Sequence, residues 1–251
     1  MALLDGRLVL ITGAGGGIGI ALVAAFRAAG ARVAACDRTP EQLAPLDVDH
    51  RAVFDLTDPA ACRAALAEIE HAVGLPDMVV SNAGYSEADT FDSVTDAVWA
   101  RELDVNLTGA RNVAAPLLPA MRARGSGVFV FMASVNGLAH FGNPAYSAAK
   151  AGLIAYARAI ATEGGRSGLR ANAICPGTVR TPAWVRRIDR SPGILERIGK
   201  LYPLGRIVEP AEVAEAALFL AGPLASAITG VALPVDAGLM AGNLPFIDEI
   251  R

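Results

Sequence analysis

Short apolar runs alternate with longer helix-like segments along most of the chain, and this alternation limits the fold more than any other feature. The runs are Leu8–Ile11, Ala31–Cys36, Val53–Phe54, Asp77–Ser81, Val128–Met132, Leu169–Ile174 and Val231–Val235. Between them lie helical segments with start or stop signals: Gly17 to Ala29 before Gly30, Pro59 to Val73 behind the cap Asp58, Asp96 to Arg124, Pro144 to Glu163 behind Asn143, and Pro210 to Gly222. Gly109 and Pro116 disturb the middle of the 96–124 helix, and Pro176 to Gly205 is looser. Strands alternating with helices specify a parallel sheet with right-handed crossovers and helices on both faces. Near-continuous apolar strands suit a sheet covered on both sides. The expected fold is α/β, a doubly wound parallel sheet of seven strands. No repeat, low-complexity stretch or linker divides the 251 residues, so the chain reads as a single domain, 1–251.

Composition removes several function classes. With 53% hydrophobic and 19% charged residues the chain can bury a large core. Its 22 basic and 25 acidic residues form no runs, so neither nucleic acid nor a membrane surface is expected as a partner. Apolar runs break well before the ~18 residues of a membrane span. Cys36, Cys62 and Cys175 are scattered, with no C-x-x-C, so no disulfide framework or metal site is expected. The first residues do not fit a signal peptide, and a cytoplasmic location is expected.

In such a sheet ligands lie beyond the carboxyl ends of the strands. The first run leads into Gly13, Gly17, Ile18 and Gly19, spaced G-x-x-x-G-x-G and followed by a helix. Glycines let the backbone approach a phosphate, and the helix N-terminus presents free N–H groups to it; a merely flexible turn is the alternative. Asp37 ends the second run, where a carboxylate can bond the adenosine ribose hydroxyls and repel a 2′-phosphate. The glycine loop carries no Arg or Lys, which also favours NAD; Arg38 is the opposing datum. Asp55 and Leu56 end the third run at the expected place of adenine, and Asn82, Ala83 and Gly84 let a ligand lie against backbone.

The reactive constellation is Ser134, Tyr146 and Lys150. Tyr146 and Lys150 are four residues apart on an expected helix and share a face. A tyrosine acting as a base near neutral pH must lose a proton from a group of pKa ~10. A lysine ammonium ~5 Å away, at an effective dielectric of ~20, favours the phenolate by about 3 kcal/mol. The pair is thereby suited to general acid–base work, with Ser134 bonding the substrate oxygen.

Taken together, Thr12-Gly13…Gly17-Ile18-Gly19, Asn82-Ala83-Gly84, Asn106, Ser134, Tyr146-Ser147-Ala148-Ala149-Lys150 and Pro176-Gly177-Thr178-Val179-Arg180-Thr181 closely resemble the short-chain dehydrogenase/reductase family, over essentially the whole chain. The resemblance implies a Rossmann-like fold, usually assembled as a tetramer and sometimes a dimer. It implies that Tyr146 is the general acid/base, that Lys150 lowers its pKa and holds the nicotinamide ribose, and that Ser134 stabilises the substrate oxygen. It also implies that Asn106 holds a water of a proton relay, and that Pro176, Gly177, Val179 and Thr181 line the nicotinamide. Three departures stand out. The interval from Ser134 to Tyr146 is one residue short of the commonest pattern, Ser81 replaces a frequent asparagine, and Ala237 replaces a usual glycine.

Substrate contacts are expected from Ser134, Tyr146, His140 and Trp184, with Tyr85, Glu87, Asn136, Phe141 and Tyr202 as further pocket candidates. Residues 182–205 read as a lid. Its Arg186, Arg187 and Arg190 fit a solvated helical face better than an anion contact. The apolar tail Asn243–Ile247 would dock on a neighbouring subunit or pack on its own. The leading expectation is an NAD(H)-dependent oxidoreductase acting on a secondary alcohol or ketone. Competing readings are an NADPH-dependent 3-oxoacyl-type reductase and a non-catalytic NAD-binding sensor or scaffold.

Overall fold

Leu8–Thr12 form β1, buried at every position, and the chain then turns through the glycine loop into helix α1, Gly17–Ala28. The structure, a computed structural model, describes residues 3–250, with the side chain of Arg186 outside the described set. Strand β2 is Arg32–Asp37, followed by a one-turn helix α2, Pro40–Leu43, that the sequence pattern did not announce. Strand β3 is His50–Val53 rather than the apolar pair Val53–Phe54. It is an edge strand, so only Ala52 is buried and a polar His-Arg pair is tolerated there. Helix α3, Pro59–Val73, is capped by Asp58, whose carboxylate accepts from the N–H groups of Ala60 and Ala61 at 2.8 and 3.1 Å.

Strand β4 is Met78–Ser81. Helix α4, Asp96–Leu103, passes through a π-turn, Asp104–Thr108, into α5, Gly109–Arg124. Pro116 and Pro119 lie inside α5 on its exposed side, while Val113, Leu117 and Met121 keep a buried stripe. Packing of that stripe holds the helix together despite two missing N–H donors. Strand β5, Gly127–Met132, leads to α6, Pro144–Gly164, and β6 is Leu169–Pro176. The looser stretch contains two short helices, α7, Val185–Arg190, and α8, Ile194–Gly199. Helix α9, Pro210–Ala221, precedes β7, Ala232–Val235, and the tail forms α10, Leu244–Glu249.

All seven strands are parallel, in the order β3-β2-β1-β4-β5-β6-β7. Two apolar cores flank the sheet. One holds Leu66, Leu117, Phe129, Phe131 and Leu153; the other holds Leu22, Phe26, Val130, Val213 and Leu220, with α1 packed on α9. Strand order reverses between β1 and β4, and that switch point opens a crevice at the carboxyl ends. Among the described residues no helix is long and apolar enough to cross a membrane, and no cluster of His, Cys, Asp and Glu could hold a metal ion.

Candidate active site

A single cavity of about 1340 Å³ runs along the carboxyl ends of the strands. One end is lined by Asp37, Arg38, Asp55 and Leu56; its middle by Gly13, Gly17, Ile18, Asn82, Ala83 and Gly84; its far end by Ser134, Tyr146 and Lys150. Pro176, Gly177, Val179 and Thr181 line it at the end of β6, and Trp184 lines it from the segment that follows. Nearly every residue singled out in the sequence therefore meets at one site. His140 does not: it is exposed and lies outside the cavity wall. The loop turns there through Gly142 and Asn143, both with positive φ, and points Phe141 into the cavity instead.

The glycine loop has the geometry of a phosphate cradle. Gly13 takes φ +61°, and a Cβ there would stand 2.8 Å from Ala83 Cα. A Cβ on Gly19 would stand 2.0 Å from the Gly13 carbonyl oxygen, so Gly19 shapes the loop from beneath without lining the cavity. Asp37 ties this loop to β2. Its Oδ2 accepts from Gly15 N–H at 2.9 Å, and its Oδ1 accepts from Arg38 N–H at 2.7 Å. Thr12 Oγ1 accepts from the N–H groups of Asn82 and Ala83 at 3.0 and 3.1 Å, while Asn82 Nδ2 donates to the carbonyls of Thr12 and Gly13. Asp55 Oδ1 accepts from Thr57 N–H and Oγ1–H at 2.9 and 2.7 Å, which holds its carboxyl below the usual range. An elongated cavity with a small-residue cradle at its centre and a carboxylate at one end fits a dinucleotide.

At the other end the shortened loop still brings Ser134 and Tyr146 together, their hydroxyls sharing a hydrogen bond. Ser134 is further fixed by Asn136, whose N–H donates to its Oγ at 3.1 Å. Lys150 is buried and donates to the Met132 carbonyl at 2.8 Å, with Nζ 5.3 Å from the centre of the Tyr146 ring. Burial dominates the electrostatics of the pair. Burial pushes Tyr146 up to about 12 against a smaller lowering by the Ser134 hydrogen bond, and Glu102 and Cys175 push it further up. Burial also pushes Lys150 down to about 8. Each shift disfavours the charged form of its group, and burial is the largest cause of both.

Asn106 sits in the π-turn, 1% exposed and behind the cavity wall. Its Nδ2 donates to the carbonyls of Tyr85 and Glu102 at 2.6 and 2.8 Å, and its Oδ1 accepts from Tyr85 N–H at 3.1 Å. A Cβ at Gly84 would stand 3.1 Å from Asn106 Oδ1 and 3.4 Å from Lys150 Nζ.

A family model described as enoyl-(acyl carrier protein) reductase matches residues 13–240. This chain is a short-chain dehydrogenase/reductase. Galactitol 2-dehydrogenase (L-tagatose-forming) of Cereibacter sphaeroides is 38% identical over 94% of this chain and 95% of its own. Acetoacetyl-CoA reductase of Rhizobium meliloti is 37% identical over 92% of this chain and 98% of its own. The crystal structure of a short-chain dehydrogenase/reductase family oxidoreductase from Burkholderia thailandensis is 47% identical and superposes with a TM-score of 0.92, covering 98% of this chain and 97% of the other.

For this dehydrogenase/reductase, sequence reasoning missed several residues that shape the site. Thr12 reads as the polar end of a strand, yet its hydroxyl accepts two N–H groups. Asn112 donates to the Leu56 carbonyl at 3.1 Å and fixes that end of the cavity. Asp89 pairs with Arg187 across the cavity mouth, and Arg187 stacks 5.0 Å from the Trp184 ring. Glu102 reads as an ordinary charged helix residue but is fully buried; its position one helical turn before Asn106 is the one signal in the sequence. Tyr202 is buried and its hydroxyl accepts from Thr178 N–H at 2.9 Å, which ties residue 202 to the chain just after β6.

Proposed function

We propose that this protein interconverts a secondary alcohol and a ketone with NAD(H), on a polyol, sugar-derived or hydroxy-acid type of compound. The observation that carries the reading is that Ser134, Tyr146 and Lys150 open into the same cavity as Asp37. The nicotinamide, when bound, supplies or accepts the hydride. Tyr146 gives a proton to the carbonyl oxygen during reduction and takes it from the hydroxyl during oxidation. Ser134 holds that oxygen beside the Tyr146 hydroxyl. Lys150, fixed by the Met132 carbonyl, holds the ribose side and feeds protons inward. The close approach of Gly84 to Asn106 and Lys150 supports a relay in which Asn106 holds a water that links Lys150 to solvent. Asp37 receives the adenosine ribose hydroxyls, which supports NAD over NADP.

Residues 182–205 act as the lid, latched by Arg187 on Asp89. Phe246 and Ile247 of α10 are 61% and 40% exposed, which supports a homo-oligomer, tetramer or dimer. Arg38 lines the cavity beside Asp37, which favours a second reading, an NADPH-dependent reductase of 3-oxoacyl type. Replacing Tyr146 by Phe tests the central step. Turnover of every alcohol and ketone that the wild type accepts is expected to vanish while NADH still binds. Substantial residual turnover would remove Tyr146 from the acid/base role.

A further inference from the structure

Glu102 on α4 is 0% exposed and lies outside the cavity lining, so it touches neither cofactor nor substrate. Its Oε1 accepts from the N–H groups of Glu87 and Ala88 at 2.5 and 3.3 Å, and its Oε2 is buried with no hydrogen-bond partner among the described residues. A carboxylate with half its acceptor capacity unused in a dry place is a poor choice for stability alone, since an apolar side chain of similar volume fills such a site as well or better. The segment it holds explains its presence.

Residues 82–89 follow β4 and line the cavity along most of their length. Their first part, Asn82 and Ala83, is fixed by Thr12 on β1. Tyr85 is clasped by Asn106. The last part, Glu87 and Ala88, is held by Glu102. From there the Ala88 carbonyl accepts from Asn143 Nδ2 at 2.6 Å and the Asp89 carbonyl accepts from Asn143 N–H at 2.9 Å. Asn143 caps α6, the helix of Tyr146 and Lys150, with φ 51°. The Asp89 carboxylate meets Arg187 of the lid. The Glu102 carboxylate therefore sits under the joint where the pocket wall, the catalytic helix and the lid meet.

We propose that Glu102 is a positioning residue for the substrate half of the site: its carboxylate fixes Glu87 and Ala88, and through Asn143 and Asp89 it sets the pocket wall and lid against Tyr146, leaving the cofactor half to Thr12. The proposal rests on the hydride-transfer reading given above for its kinetic consequence, but not for its structural one. Glu102→Met keeps the volume and removes the acceptor; Glu102→Gln keeps an oxygen for both N–H groups. In Glu102→Met, amide hydrogen exchange at Glu87–Asp89 is expected to quicken at least about tenfold while Asn82 and Ala83 stay protected. The KM of the best alcohol or ketone is expected to rise about tenfold or more, with the NADH dissociation constant within about twofold of wild type, and Glu102→Gln is expected to restore both readouts. Wild-type protection at Glu87–Asp89 in Glu102→Met would overturn the proposal whatever the enzyme turns over, and so would a parallel loss of NADH affinity. Quickened exchange with no turnover by the wild type would support the anchor and contradict the hydride-transfer reading instead.

Discussion

The Lys150 ammonium stands 5.3 Å from the centre of the Tyr146 ring, and burial drives the two groups in opposite directions, the phenol up to about 12 and the ammonium down to about 8. Oxidation needs Tyr146 to take a proton and reduction needs it to give one. With the phenol held protonated up to about 12, kcat/KM for alcohol oxidation is expected to rise with pH across the neutral and alkaline range, and that for carbonyl reduction to stay nearly level until the phenol begins to ionise. pH–rate profiles in both directions check this. Flat profiles in both would mean that Tyr146 does not carry the proton.

Lys150 also makes a stability prediction with a definite sign. Its ordinary value is 10.5 and its folded value about 8. Below about 8 both states hold the proton and the folded state bears the whole burial cost. Between about 8 and 10.5 the unfolded chain holds more protons, so this cost eases as pH rises. At pH 7 the shift corresponds to about 3 kcal/mol. Lys150→Met is therefore expected to melt higher than wild type at pH 7, by a smaller margin at pH 9.5, and to have no activity. An equal margin at both pH values would contradict the account.

Ala237 carries φ 51°, in the left-handed region that favours glycine. The left-handed region costs a residue with a Cβ about 1–2 kcal/mol, and glycine's extra freedom when unfolded takes back about 0.4–1 kcal/mol. Ala237→Gly is expected to raise the melting temperature by about 1–3 °C without changing NADH affinity. A lower melting temperature would show that the Ala237 methyl contributes more by packing than its backbone loses.

The Asp89–Arg187 pair is partly exposed on both sides, with side chains 59% and 36% accessible. Such pairs contribute about 0–1 kcal/mol to stability. Asp89→Asn is therefore expected to leave the melting temperature nearly unchanged. Its effect falls on the lid, as a KM for substrate raised up to about 5-fold at an unchanged NADH dissociation constant. A loss of NADH affinity would place the latch on the cofactor side.

The sheet and the site were legible where one residue's chemistry sufficed. Apolar runs gave every strand except β3, where the edge position lets His50 and Arg51 occupy a strand that no apolar pattern marks. Asp37, Ser134, Tyr146 and Lys150, singled out by residue type and position, line one cavity. What escaped depends on distance in space rather than in sequence. Glu102 meets Glu87 across 15 residues, Arg187 meets Asp89 across 98, and the dryness that shifts Tyr146 and Lys150 comes from the whole surrounding fold. That His140 lies outside the cavity wall was not legible either, because the turn at Gly142 and Asn143 depends on positive φ at Asn143, which an asparagine permits but does not announce.

The most direct test of the account is a fluorescence titration of the purified protein with NADH and with NADPH, repeated on Asp37→Ala. Asp37 accepts from Gly15 N–H and faces the cavity, so the wild type is expected to bind NADH far more tightly than NADPH. Loss of the carboxylate is expected to weaken NADH about tenfold or more and to narrow the gap. Tighter binding of NADPH by the wild type would contradict the account and make Arg38 the residue that reads the cofactor.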